Sequence, residues 1–181
     1  MSLSANLKLL AAYNQTMNTR LYELAQALPV ATLTADKGAF FGSIQATLNH
    51  LLVADLIWLN RFAKFSRPFP ALALLAQFPL PSALDQMLYS DFGEQSDRRR
   101  QLDDAIRAFT DDLSDTDLAA DLHYRNTKGL PFTRNFGSVL LHFFNHQTHH
   151  RGQVTTLLSQ CGVDVGVTDF LVMIPETAPA T

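Results

Sequence analysis

The chain has 181 residues, 47% of them apolar and 17% charged, which predicts one domain over residues 1–181 with a sizeable core. Its net charge of −3 gives no field that would attract nucleic acid or an anionic membrane, and no apolar stretch reaches the roughly 18 residues that a membrane span needs. A single cysteine, Cys161, excludes an internal disulfide, and because the amino terminus does not read as a signal peptide we expect a cytoplasmic protein.

Four stretches carry apolar residues at helical spacing and are predicted to be long helices: about residues 4–28, 43–65, 83–113 and 135–160. The second is apolar on nearly every side, which is typical of an enclosed central helix. The third is expected to begin after an N-cap at Ser82 and is the most charged of the four. A proline-rich crossover, residues 66–82, separates the second helix from the third, so the pattern predicts an all-α four-helix bundle with one long crossover.

Three further segments complete the predicted architecture. Residues 121–135 contain two short β-like runs around a glycine turn, which predicts a small β-hairpin before the last helix. The tail, residues 162–181, carries an apolar patch at 170–174 that we expect to pack back onto the bundle. The basic run at 98–100 is flanked by aspartates and is interpreted as a solvated helix face.

Four of the six histidines lie in the last predicted helix, at 142, 146, 149 and 150. At about 100° per residue, His146 and His150 share one face, with β-carbons about 5–6 Å apart, while His142 and His149 fall nearer the edge of the apolar stripe. Two imidazoles at this spacing are typical of a divalent metal site. Hydrogen-bonded core histidines show the same spacing, so this pattern alone leaves both interpretations open.

His50 interrupts the middle of the second predicted helix, between the small side chains of Ala46 and Ala54. Taken alone, it fits a hydrogen-bonded core histidine. Metal sites in helix bundles form from side chains on facing helices, so His50 could meet His146 and His150 in the core. Three neutral imidazoles would leave a coordination position for water or substrate, as in catalytic rather than structural zinc sites.

The chain resembles the DinB-like superfamily, which also includes the YfiT-like proteins, in three segments: TLNHLLVADLIWL at 47–59, NHQTHHRGQ at 145–153 and GVDVGVTD at 162–169. The resemblance covers nearly the whole chain and implies a four-helix bundle that assembles as a homodimer. It also implies that His50, His146 and His150 bind a divalent metal, and it argues against His149 as a ligand. Zinc, nickel, iron, copper and manganese are all candidates for the ion.

The resemblance also implies a class of reaction. Where activity is known, such proteins transfer thiol cofactors such as bacillithiol or isomerise with mycothiol, and the metal activates the thiol as thiolate. We therefore expect a thiol-dependent S-transferase that uses a low-molecular-weight thiol and holds a small electrophile against Trp58, Phe62 or Phe143. A metal-dependent hydrolase and a non-enzymatic, stress-related dimer with a structural metal are the alternatives. The sequence does not indicate a general base. The zinc-protease motif requires glutamate directly after its first histidine, and Gln147 occupies that position here.

Four other residues have predicted roles near these histidines. Gln153 lies one turn after His150 and is a candidate to orient an imidazole. Asp55 is expected to make a polar contact at a helix or subunit boundary, and Gly152 to permit close helix approach. Cys161 lies eleven residues beyond His150, about 16 Å along a helix, and is too distant to share its ion.

Overall fold

The computed structural model describes residues 2–176, so the last five residues of the predicted tail lie outside the described residues. Its elements in chain order are α1 (Leu3–Gln26), α2 (Val30–Thr34), α3 (Ile44–Phe62), a 3-10 helix (Pro70–Gln77), α4 (Phe92–Asp111), α5 (Asp115–Ala119), β1 (Asp121–Arg125), β2 (Pro131–Asn135), α6 (Phe136–Gln160) and a second 3-10 helix (Phe170–Met173).

The four long helices, α1, α3, α4 and α6, form the predicted bundle. α1 packs against α4 and α6, and α3 packs against α6. The connection from α3 to α4 is the long crossover, and β1 pairs with β2 in an antiparallel hairpin immediately before α6. The predicted fold class is therefore confirmed. None of the helices within residues 2–176 is long and apolar enough to cross a membrane.

Helix α3 is the central helix, as its sequence indicates. Side-chain capping fixes its start, because Ser43 Oγ accepts a hydrogen bond from the amide of Ala46 at 3.1 Å. From there its apolar side chains are enclosed on all sides, and Leu48, Leu52 and Leu56 have no exposed surface. Burial of this kind is the main favourable term in holding the bundle together.

The third long helix begins at Phe92, not near residue 83 as the sequence predicts. Its N-cap is Asp91, which accepts from the Glu94 amide at 2.7 Å, whereas Ser82 donates to the side chain of Gln86 outside any helix. The physical reason lies in α3, because Asn49 takes up backbone groups that a helix over this segment would pair internally. Its Nδ2 donates to the Gln86 carbonyl at 2.8 Å, and its Oδ1 accepts from the Leu88 amide at 2.9 Å.

The interpretation of the basic run as a solvated face is wrong for its middle residue. Arg99 is 1% exposed and forms buried ion pairs with Asp55 of α3 at 2.6 Å and with Asp103 at 2.8 Å. Arg100 is exposed and pairs with Asp97, as expected of a solvated position. A guanidinium is tolerated in the core here because two carboxylates compensate its charge.

The described part of the tail returns to the bundle, as predicted. The 3-10 helix at Phe170–Met173 packs on α1. The ring of Phe170 meets the ring of Tyr13 edge-on, with 5.3 Å between centroids. This contact holds the tail against α1.

Candidate metal centre

Three histidines from α3 and α6 converge at one point. His50 comes from α3, while His146 and His150 come from successive turns of α6, and one ring nitrogen of each lies within 4.8 Å of the others. The Nε2 atoms of His146 and His150 are 3.1 Å apart. No fourth histidine, cysteine, aspartate or glutamate of residues 2–176 joins this group, which we call the histidine cluster. Such a set could hold one divalent ion.

Hydrogen bonds at the outer nitrogens fix two of the three imidazoles. His50 Nδ1 donates to the backbone carbonyl of Leu84 at 2.9 Å, and His150 Nδ1 donates to Gln153 Oε1 at 2.7 Å. Each Nδ1 therefore carries the proton, and each Nε2 presents a lone pair to the interior of the cluster. Metal-binding histidines in proteins are typically oriented in this way. The candidate role of Gln153 thus matches its position in the structure.

The electrostatics of the cluster favour neutral imidazoles. Burial, and after it repulsion from the neighbouring imidazoles, together lower the pKa of His146 from 6.5 to about 3, because two cations so close would repel. Burial also lowers the pKa of His50 and of His150. At neutral pH all three rings are in the uncharged form that binds metal ions.

An aromatic side chain that no sequence motif indicates covers one face of the cluster. The ring of Phe41 stacks on His50, with 3.9 Å between centroids, and meets His150 edge-on at 5.6 Å. A tight turn places it there, since Gly42 adopts a φ of 78° and donates to the carbonyl of Ala39 at 2.8 Å. Phe41 shields the cluster from solvent on this side. His50 stands out in the sequence, but its stacking with Phe41 is a tertiary contact that local sequence does not predict.

The other histidines of α6 lie outside the cluster. His142 is exposed, with its ring centroid 6.2 Å from that of His146, and His149 is exposed beside His150. His123 lies on the hairpin and bonds to Thr133 at 2.8 Å. Gly152 is also exposed, and a β-carbon there would meet nothing within 4 Å, so the prediction that it permits close helix approach is wrong.

A cavity of about 610 Å³ lies between α3, α6 and the hairpin, and none of the three histidines of the cluster lines it. Its wall includes Trp58 of α3, His142 of α6, and Tyr124 and Arg134 of the hairpin. His142 lines the cavity and its ring centroid lies 6.2 Å from that of His146, so the cavity is one turn of α6 away from the histidine cluster. A small molecule bound here would lie against the indole of Trp58.

Two other side chains predicted to contact a substrate do not line this cavity. Phe62 has no exposed surface and Phe143 only 2%, because both rings pack in the aromatic core with Phe109 and Phe136. Helical spacing placed them near the histidines but could not distinguish a cavity wall from the packed interior. Of the three predicted contacts, only Trp58 lines the cavity.

A buried polar network joins the two helices that carry the histidines. Asp55 of α3 accepts from Gln147 of α6 through Oδ1 and from Arg99 of α4 through Oδ2. The predicted polar contact of Asp55 at a helix boundary is therefore present, with two partners on two helices. Burial raises the pKa of Asp55 to about 6, and the charge of Arg99 opposes that shift. Because Gln147 directly follows His146, this network fixes the position of the α6 histidines along the helix axis relative to His50.

A bundle that gathers three histidines from facing helices belongs to the class of helical proteins able to hold a metal ion in the core. The DinB family model matches residues 1–179, and the chain belongs to the DinB family. Protein DinB of Bacillus subtilis (strain 168) is 26% identical over 158 residues, covering 87% of each chain. No solved structure matches the chain.

Proposed function

We propose that His50, His146 and His150 bind one divalent metal ion and that this centre serves an enzyme acting on a small molecule. The observation that carries the proposal is the convergence of three neutral imidazoles, two of which are held by hydrogen bonds at Nδ1 so that Nε2 faces inward. Histidines that served only packing would not need to direct their ring nitrogens towards one point. Zinc, nickel, iron and manganese are the candidate ions, since all accept imidazole ligands.

A divalent ion held by three neutral imidazoles keeps its positive charge and lowers the pKa of a water or thiol that it binds. The residues of the chain supply the rest of the site. Leu84 and Gln153 orient the imidazoles, and Phe41 excludes water from one face. Trp58 offers a flat apolar surface to a reactant in the adjoining cavity.

The reaction we propose is transfer of a low-molecular-weight thiol to a small electrophile. A new S–C bond forms, the leaving group departs with the electron pair of the broken bond, and the thiol proton passes to solvent. The cavity of about 610 Å³, one turn of α6 from the cluster, supports an enzyme over a metal that only braces helices, because a structural site needs no reactant space.

We further propose that the protein acts as a homodimer in the cytoplasm. Several large apolar side chains are exposed near the histidine cluster, among them Phe40 at 87% and Leu84 at 50%, and burial of such surface favours association. The unpaired thiol of Cys161 fits a reducing compartment. Sedimentation equilibrium of the purified protein tests the dimer, and a mass of 20.1 kDa, that of one chain, would contradict it.

Metal content tests the site itself. Protein purified without an affinity tag or chelator is compared with His50→Ala, His146→Ala and His150→Ala, and with the matched controls His142→Ala and His149→Ala. We expect about one divalent ion per chain in the wild type and the controls, and loss of the ion in the other three variants. A wild type that stays empty with zinc, nickel and manganese, or that binds equally well without His50, would refute the centre.

Activity tests the reaction. The metal-loaded protein is mixed with 1-chloro-2,4-dinitrobenzene and one of three thiols, L-cysteine, glutathione or bacillithiol, and formation of the thioether is followed by absorbance. We expect a rate above the uncatalysed reaction with at least one thiol, and its loss in His150→Ala. A protein that binds metal but accelerates none of these reactions would favour the structural alternative.

A further inference from the structure

A second site lies beside the histidine cluster, where three cationic side chains surround two adjoining cavities. We propose that this site binds small organic or inorganic dianions through carboxylate or phosphate oxygens. It is formed by Arg61 and Lys64 near the end of α3 and by Arg125 of β1. This inference goes beyond the metal centre, because none of the three residues belongs to the histidine cluster.

The three cations line two partly open cavities. One cavity, of about 450 Å³, lies between α3 and the hairpin, and the other, of about 440 Å³, lies between α3 and residues 80–84. Arg61, Lys64 and Arg125 line both. Either space is large enough for a molecule of a few heavy atoms such as a dicarboxylate.

The charges of this site are not compensated by the protein. Neither cavity is lined by an aspartate or glutamate, and within residues 2–176 none of the three cations forms an ion pair. The chain nevertheless has 17 acidic residues and only 14 Lys and Arg in total. A cluster of cations without acids is therefore a local departure from the average charge of the protein, and it attracts oxyanions.

Arg61 is the only one of the three cations that is half-buried, since Lys64 and Arg125 are exposed. Its guanidinium lies over the ring of Trp58, 4.4 Å from the centroid, and over the ring of Tyr124 at 5.1 Å. Burial lowers its pKa, and no carboxylate of the described chain offsets the cost of burying its charge. The aromatic rings hold the guanidinium by its face and leave its edge donors free, which suits bidentate binding of an oxyanion.

Arg125 and Lys64 complete the site. Arg125 is held by a hydrogen bond from Nη1 to the carbonyl of Gly129 at 2.6 Å, which leaves its other donors for a ligand. Lys64 is exposed and contributes charge without a fixed geometry. Since Leu84 lines one cavity and accepts the hydrogen bond of His50, the anion site and the histidine cluster share one wall.

The experiment is isothermal titration with three probes: succinate, inorganic phosphate and the uncharged succinamide. The proteins are the wild type, Arg61→Gln, Arg125→Gln, the matched control Arg107→Gln on the exposed face of α4, and His150→Ala. Trp58 is the one tryptophan of the chain and contacts Arg61, so its fluorescence provides an independent readout.

We expect saturable binding of succinate, phosphate or both, a change in Trp58 emission with the same dissociation constant, and no binding of succinamide. Arg61→Gln and Arg125→Gln should each weaken binding at least about tenfold, since a charge-assisted hydrogen bond contributes that much. Arg107→Gln, which carries the same change of charge, should bind like the wild type. Succinate and phosphate separate carboxylate from phosphate recognition, and either result supports the site.

The proposal would be overturned by the absence of saturable binding for both anions, or by equal affinity in Arg61→Gln and Arg107→Gln. His150→Ala separates this site from the proposed metal centre, because retention of anion binding in that variant supports the cationic site even if no metal binds. Loss of binding in His150→Ala alone would instead assign the anion to the histidine cluster.

Discussion

His150 depends on one neighbouring side chain for its orientation. Gln153 Oε1 accepts a hydrogen bond from His150 Nδ1, with 2.7 Å between the two atoms. This bond holds the ring and selects the tautomer whose Nε2 carries no proton. Without that acceptor the ring would rotate and the proton would distribute between both nitrogens. His50 has an equivalent acceptor in the Leu84 carbonyl, which no side-chain substitution can remove. Gln153 is therefore the residue at which the orientation of the cluster can be tested.

Replacement of Gln153 by leucine should weaken metal binding about 10- to 100-fold, the usual effect of losing such a partner. Gln160→Leu, the same substitution at an exposed position of α6, is the control. Competition against a chelating dye measures both affinities. Equal affinity in the two variants would show that Gln153 does not position His150.

The depressed imidazole pKa values predict how the stability of the metal-free protein depends on pH. In the unfolded chain a histidine takes up a proton near pH 6.5, whereas burial keeps folded His146 neutral down to about pH 3. The unfolded state therefore binds more protons in this interval. The contribution of neutral His146 to the free energy of unfolding is complete above about pH 6.5 and is lost as the pH falls towards 3.

Urea unfolding in the presence of a chelator, at several pH values between 6.5 and 3, tests this expectation. His146→Asn should lose less stability over that interval than the wild type does. His123→Asn, at an exposed hairpin position, should follow the wild type. Parallel curves for all three proteins would be inconsistent with a neutral histidine cluster.

At the scale of the residue, the sequence was sufficient to predict which histidines meet. Helical periodicity set His146 and His150 on one face, and the resemblance to the DinB-like superfamily added His50. The structure brings these three together and leaves His142 and His149 outside. Phe41 and the Leu84 carbonyl could not be predicted, because both come from irregular segments whose backbone path is not encoded by a periodic pattern.

At the scale of the helix, the position of α6 against α3 depends on polar contacts inside an apolar bundle. Asp55 accepts hydrogen bonds from both Gln147 and Arg99, and Asp103 forms a second ion pair with Arg99. A purely apolar interface would tolerate sliding of one helix past the other, whereas this network specifies one register. The register matters because one turn of displacement would move His146 and His150 by about 5.4 Å relative to His50.

Asp55→Ala should destabilise the protein by about 3–5 kcal/mol, because it leaves Arg99 buried without one of its two partners. Asp97→Ala breaks the exposed pair with Arg100 and should cost less than about 1 kcal/mol. Chemical denaturation measures both. A loss below 1 kcal/mol in Asp55→Ala would mean that the pair does not stabilise the bundle.

The error at the start of the third helix also belongs to this scale. The stretch from residue 83 has an apolar content compatible with a helix, and nothing local forbids one. The side chain of Asn49, about 35 residues earlier, instead forms hydrogen bonds with the backbone of Gln86 and Leu88. Tertiary contacts of this kind override local propensity, and they cannot be read from a window of sequence. The buried position of Arg99 escaped prediction for the same reason.

For the molecule as a whole, a bound metal should stabilise the folded state. An ion at about 100 times its dissociation constant contributes about 2.7 kcal/mol if it binds only the folded chain. For a protein of 181 residues this corresponds to a rise in Tm of about 5–11 °C. Differential scanning calorimetry with and without zinc measures the shift.

His50→Ala and His142→Ala serve as the paired variants for this measurement. The zinc-dependent shift should disappear in the first and persist in the second, because only His50 belongs to the histidine cluster. A shift that persists in His50→Ala would show that zinc stabilises the protein through a different site.

The positions of the histidines along the chain also determine when metal can be acquired. His50 lies in the second long helix, and its two companions lie in the last, so more than half of the chain separates them. A nascent chain that has not yet produced α6 offers only one of the three cluster imidazoles to an ion. If the proposed centre is correct, metal loading follows synthesis and docking of that last helix, and the cell must supply the ion to a finished protein.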